Sequence, residues 1–288
     1  MPIMINKISR YLSSALIVLA IGSCQKMDKP ALGDYPTDGN QVLLAGPLRF
    51  YSGFNITDGA SPRWNAADSI SSNPASLFPL SYEAGISGNG IKGKDNNAIM
   101  YLNANDMKNA TSMTIAFWFK RAVNTNTEFF FSLRDTRPPY SGWNYTSMFM
   151  MAEHGTPTAA TVKFYLLDQW LEFPDASKLQ KPFFDGNWHH WAMVYDETTS
   201  KMTYYFDGQL VTGAPASATD VKKNGAPRGP LDLTGAAELI IGGSSKHVGL
   251  KGAGDDWIKS FQGSMDQFRM YNKALTAAEI QALFASKL

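Results

Sequence analysis

Asn187-Trp188-His189-His190-Trp191-Ala192-Met193-Val194-Tyr195-Asp196 is followed by Glu197-Thr198-Thr199-Ser200-Lys201, then by Met202-Thr203-Tyr204-Tyr205-Phe206-Asp207-Gly208-Gln209-Leu210-Val211. Two runs rich in aromatic and β-branched residues flank a polar turn, the pattern of paired strands. Asp207-Gly208 between apolar runs predicts a second tight reversal, because both central positions of that hairpin turn need φ > 0. The stretch therefore predicts three consecutive antiparallel strands.

The same character extends along the chain from Gln41. Candidate strands lie at 42–51, 98–103, 112–121, 128–133, 146–151, 161–167, 187–195, 202–206, 209–212, 238–242 and 261–271, separated by Gly, Asn, Asp and Pro clusters. Strand residues alternate between faces. Met113, Ile115, Phe117 and Phe119 thus oppose Thr114, Ala116, Trp118 and Lys120. His189 and His190 are adjacent and face opposite sides, which excludes them as joint ligands of one metal ion. The one helical signal comes last. Thr276 and Glu279 form a capping box, Leu275 and Ile280 are placed as a hydrophobic staple, and Ile280, Leu283 and Phe284 make one apolar face.

Four stretches in one order resemble the laminin-G-like, concanavalin A-type jelly rolls. They are Ser112–Lys120, with a Thr before alternating apolar residues and a Trp; Asn187–Val211; Leu239-Ile240-Ile241-Gly242; and Phe261–Ile280. The resemblance implies an all-β fold: a two-sheet antiparallel jelly-roll sandwich with a short C-terminal helix. Residues 45–288 would form this one domain.

The resemblance also bears on chemistry. Related glucanases carry Glu-x-Asp-x-x-Glu on one strand, so that period-two spacing puts the acids on one face. Here Glu83, Glu128, Glu153, Glu172, Glu197, Glu238 and Glu279 are isolated along the chain, and none sits in that motif. No nucleophile elbow accompanies the four His residues. The expectation is a protein that is not an enzyme. In the family an Asp of the closing strand, at the place held here by Asp266, helps to ligate a structural Ca²⁺. The resemblance assigns that role to Asp266, with Asp68 (or Asp58) as the early-loop ligand and Arg269 as the alternative partner of Asp266.

Composition sets the remaining bounds. A hydrophobic content of 44%, with 12% aromatic residues, suffices for one large β core. The chain has 26 basic and 25 acidic residues. Taking away Lys7 and Arg10, the charged residues of positions 1–23, leaves 24 against 25, with no basic stripe to recognise nucleic acid. Lys7 and Arg10 precede the short apolar run Ala15–Ile21 and then Gly22-Ser23-Cys24, a secretory-signal pattern far short of the ~20 residues that span a bilayer. Ile21-Gly22-Ser23-Cys24 resembles a bacterial lipobox, so residues 1–23 are expected to be a signal peptide and Cys24 the lipidated residue. Residues 24–44, polar and broken by Pro and Gly, read as a flexible linker. The expected address is the bacterial cell envelope: the outer membrane, through a lipid anchor only.

Ligand recognition would fall to aromatic residues in polar loops. One such loop is Arg134–Tyr145, with Arg137, Trp143 and Tyr145; the other is Asp168–Asp175, with Trp170. A sugar has apolar C–H faces and a hydroxyl rim, so an indole or phenol beside polar groups supplies both stacking and hydrogen bonds. The reading is a carbohydrate-binding envelope module, with an assembly role on an envelope protein as the alternative and a glycoside hydrolase third.

Overall fold

The structure, a computed structural model, describes residues 46–137, 143 and 145–287. The expected signal peptide, Cys24 and the linker lie outside the described residues. In chain order the strands are β1 (Leu48–Ser52), β2 (Ser81–Ala84), β3 (Asn89–Lys92), β4 (Ile99–Tyr101), β5 (Met113–Lys120), β6 (Thr127–Asp135), β7 (Thr146–Glu153), β8 (Thr161–Leu166), β9 (Gln169–Phe173), β10 (Trp188–Asp196), β11 (Lys201–Phe206), β12 (Gln209–Leu210), β13 (Lys222–Lys223), β14 (Ala226–Pro227), β15 (Ala236–Ile241), β16 (Ile258–Ser260) and β17 (Ser264–Tyr271). Among the described residues no helix is long and apolar enough to cross a membrane.

The strands form two main sheets. An eight-stranded sheet runs β12-β11-β10-β5-β17-β3-β2, with β1 also paired to β17; a seven-stranded sheet runs β4-β15-β6-β7-β8-β9, with β16 added in parallel to β6. Apart from that contact the pairings are antiparallel. The decisive stretch folds as its pattern predicts. β10 pairs with β5 on one side and β11 on the other, and Asp207 and Gly208 turn the chain at φ 50° and 73°. This is a jelly-roll sandwich.

The core between the sheets takes one face of each strand. Phe117 and Phe119 of β5 and Trp191 and Met193 of β10 meet Phe130, Phe131 and Phe164 of the facing sheet. Phe130 and Phe131 are consecutive and both enter the core, because the β6–β7 register shifts between Phe129 and Phe131. Burying each such ring contributes roughly 1.5–3 kcal/mol.

The outward faces of the two sheets have different coverings. Over the eight-stranded sheet lies the C-terminal helix Ala277–Ser286, started by the Thr276–Glu279 capping box. It brings Leu275 and Ile280 against Ala116, Ala192 and Val194, and stacks Phe284 on Trp118. Over the seven-stranded sheet lies an aromatic cluster built on Phe129, Phe149, Met151, Tyr165 and Ile258.

The strand expected at 42–51 is seen from Leu48, residues 42–45 lying outside the described residues; β2, β3 and β16, which the sequence pattern does not predict, are too short and too polar for an alternation signal. The segment 168–175 is no plain loop. Leu167 at φ 60° turns the chain into β9, whose Leu171 and Phe173 enter the core while Trp170 and Glu172 point outward.

Candidate functional site

The outward face of the seven-stranded sheet carries the candidate site. In β7, Phe149, Met151 and Glu153 alternate away from the core; in β8, Lys163 and Tyr165 do so; in β9, Trp170 and Glu172. Register lines them up in rows. Phe149 opposes Tyr165, which opposes Trp170; Met151 opposes Lys163, which opposes Glu172. One row is aromatic, and the next turns polar.

Trp143 is laid over the aromatic row. Its backbone N–H donates to the Tyr165 hydroxyl at 3.0 Å, and its ring lies 5.3 Å from Phe149 and 6.2 Å, stacked, from Phe129. Trp170 meets it edge-on at 5.5 Å, and Trp257 tilts against its other side at 5.5 Å. The three indoles border an open groove of about 430 Å³ whose remaining lining is Thr127, Met151, Glu153 and Lys163. Trp170 is 37% and Trp257 45% exposed, a large apolar area left in water without an evident packing reason.

The polar edge is an ion cluster. Lys163 Nζ lies 2.6 Å from one Glu153 oxygen and 3.7 Å from Glu172; the other Glu153 oxygen accepts the Thr127 hydroxyl at 2.5 Å. Burial works against ionisation of Glu153, but the hydrogen bonds from Lys163 and Thr127 outweigh it and hold the carboxyl below its ordinary range. Glu153 and Glu172, isolated along the chain, are thus brought to one lysine.

The predicted ligand residues divide. Trp143 and Trp170 come together, Trp143 over the sheet face and Trp170 on an edge strand. Arg137 and Tyr145 do not line the groove. Arg137 is bound bidentately to the buried Asp135 and reaches Asp232 at 2.8 Å and the Thr234 hydroxyl at 2.6 Å. The Tyr145 carbonyl accepts from Asp135 N–H at 2.9 Å, and Lys251 sits 4.9 Å over its ring. Sequence reasoning missed Trp257, although Asp255-Asp256-Trp257 is an aromatic residue in a polar loop, the signal that singled out Trp143. Glu153, Lys163 and Thr127 were legible only as the outward positions of strands.

The expected calcium ligands also divide. Asp68 is buried and already accepts five hydrogen bonds: from Tyr51 and Ile70 N–H, from Ser71 N–H and hydroxyl, and from Asn105 Nδ2. With its lone pairs so used, it does not fit a calcium ligand; it is the hub of its loop. Asp266 is fully buried in β17. Its Oδ2 accepts from Ile86 N–H at 3.0 Å and Ser87 N–H at 3.4 Å, while Oδ1 has no hydrogen-bond partner. Burial pushes this carboxyl up to about 7, against only partial help from those amides. A Cβ at Gly85 would collide with Oδ2, so the turn around the carboxyl needs glycine. Arg269 is not its ion-pair partner: it donates to Gln267 and lies 4.5 Å over the Tyr51 ring. An orphaned, buried carboxylate oxygen fits a cation-ligating role. Among the described residues, no three His, Cys, Asp or Glu side chains group to hold a metal.

Comparison with known proteins agrees with this architecture. A family described as the concanavalin A-like lectin/glucanases superfamily, of laminin-G type, matches residues 93–281. The fold is similar to domain 4 of AbnA, an extracellular arabinanase of Geobacillus stearothermophilus solved with arabinotriose: 15% identity, TM-score 0.51, covering 82% of this chain and 98% of that one. It is similar to the binding domain of botulinum neurotoxin serotype D/C, at 11% identity and TM-score 0.53, covering 84% of this chain and 52% of that one. The binding domain of Paraclostridial Mosquitocidal Protein 1 gives 14%, 0.50, 83% and 52%. No curated protein sequence matches the chain.

Proposed function

Because the chain belongs to the concanavalin A-like lectin/glucanase superfamily, we propose that it is a glycan-binding module with its site in the Trp143–Trp170–Trp257 groove. The observation that carries this reading is the convergence of three indoles, two of them well exposed, beside hydrogen-bonding groups on one sheet face. Indole faces take the C–H faces of a sugar, and Glu153, Lys163 and Thr127 stand ready for its hydroxyls. The role is binding and not hydrolysis. A general acid needs a carboxyl raised toward neutrality, whereas Glu153 is held ionised and shares its lysine with Glu172.

The module would be tethered to the outer membrane by a lipid on Cys24, with residues 24–44 as its stalk. Asp266 would hold a structural Ca²⁺, whose charge would offset that of the buried carboxylate; Asp68 takes no part. A glycan-array screen of the soluble domain tests the central claim. Binding that is lost on Trp170→Ala or Trp257→Ala, with melting unchanged, upholds it. A wild-type protein that binds no glycan overturns it and leaves an envelope-protein partner as the occupant to seek.

A further inference from the structure

The shape and charge of the groove narrow the class of glycan, an inference that rests on the binding reading above. Trp143 and Trp170 meet at 68° and Trp143 and Trp257 at 36°, so no two neighbouring indoles are coplanar. A flat ribbon of packed polysaccharide needs a flat platform. An angled pair instead grips one sugar ring, by its face on one indole and its edge on the other, and the chain must be free to enter.

Charge adds a second filter. Among the described residues that line the groove, Lys163 is the sole cation. It is held 2.6 Å from Glu153 with Glu172 at 3.7 Å, one positive charge against two negative, a net of −1. Thr127 pins the other oxygen of Glu153, so the cluster does not readily open. A carboxylate or sulfate on a sugar would find no spare cation there and would face the Glu153 carboxylate, with Lys163 shared between Glu153 and Glu172. Like charges set against each other in a binding site are a cost that a wrong partner bears and the right one does not. Neutral hydroxyls meet no such cost, since carboxylate oxygens accept from them and the lysine donates to them.

We infer that the groove takes a soluble, uncharged glycan chain and rejects uronate-bearing or sulfated glycans as well as crystalline polysaccharide surfaces.

Calorimetry with the full chain tests this, using arabinotriose, cellotetraose and the best neutral oligosaccharide from an array against trigalacturonate, with microcrystalline cellulose as a pull-down matrix. The expected result is binding of a neutral oligosaccharide at least about tenfold tighter than trigalacturonate, a gap of about 1.4 kcal/mol. Trigalacturonate should bind better as salt rises, because salt screens the repulsion. The cellulose should retain nothing. Glu153→Gln/Glu172→Gln leaves Lys163 uncompensated and should improve trigalacturonate binding about tenfold relative to the neutral ligand. Equal binding of both ligands by wild type, a salt dependence of the opposite sign, or retention on cellulose overturns the inference while the glycan-binding reading stands. If no neutral oligosaccharide binds wild type, both fall.

Discussion

His189 and His190 are consecutive, yet β10 gives them opposite electrostatic surroundings. His189 has Asp207 at 2.8 Å from Nδ1 and Asp185 at 3.0 Å from Nε2; His190 is fully buried against Trp118 and Phe284 with neither ring nitrogen hydrogen-bonded. Burial depresses His189, but the two carboxylates outweigh it and raise its pKa above the ordinary 6.5. Burial, with Arg269 adding to it, pushes His190 down to about 3.

The two residues therefore shape opposite limbs of the stability profile. His189 stabilises fully below pH 6.5 and loses its contribution as pH rises through its raised folded value. His190 stays neutral in the fold while the unfolded chain protonates, so its contribution is present above pH 6.5 and is lost as pH falls toward 3. The slope approaches about 1.4 kcal/mol per pH unit well below 6.5. His190→Leu should flatten the acid limb relative to wild type, and His189→Gln the limb above pH 6.5. Melting temperatures across pH 4 to 9 check this; parallel profiles for wild type and His190→Leu would refute it.

The tryptophans should separate by role. Trp118 is 2% exposed and stacked on Phe284, so Trp118→Ala should cost about 3–5 kcal/mol of stability. Trp257→Ala should cost under about 1 kcal/mol of stability, as surface substitutions do. Its loss of glycan affinity should be on the order of 2–4 kcal/mol, as for a stacking hot spot. Denaturant melts and calorimetry on the same preparations decide between the two.

Calcium should act through Asp266 and not Asp68. A ligand that binds only the folded state raises stability by mass action. Millimolar calcium should raise the wild-type melting temperature over that in chelator, and Asp266→Asn should abolish the difference. Asp68→Ala should instead destabilise by about 3 kcal/mol or more with or without calcium, since it strips partners from buried donors. Identical wild-type melts in calcium and chelator would remove the metal from Asp266.

Anchoring makes a cell-level prediction. Cys24→Ser should move the protein from the membrane fraction to a soluble one. Unchanged partitioning would end the lipoprotein reading.

Much of the fold was legible because it rests on local periodicity. The alternation of 112–120 and 187–195 assigned each residue to one of two buried faces, the inter-sheet core or the face under the C-terminal helix, and Asp207-Gly208 fixed the turn that follows β11. The site was only half legible. Trp143 and Trp170 stand out as aromatic residues in polar company, but their meeting depends on Trp143 docking on Phe149 of β7 and Tyr165 of β8, beside which the β8–β9 register sets Trp170. Arg137 stands away from the groove for a related reason. A guanidinium beside an aromatic loop signals ligand binding in sequence, but its partners Asp232 and Thr234 come from a distant segment. Asp68 likewise looks like a metal ligand until Asn105 and Tyr51 are folded onto it.

The C-terminal helix, by seating Phe284 on Trp118, gives the domain a front and a back. The helix covers the outward face of the eight-stranded sheet at β5 and β10, and the seven-stranded sheet keeps its groove open. A tag, dye or surface linkage placed after Lys287 therefore attaches behind the molecule, and an immobilised domain would still present its groove to solution.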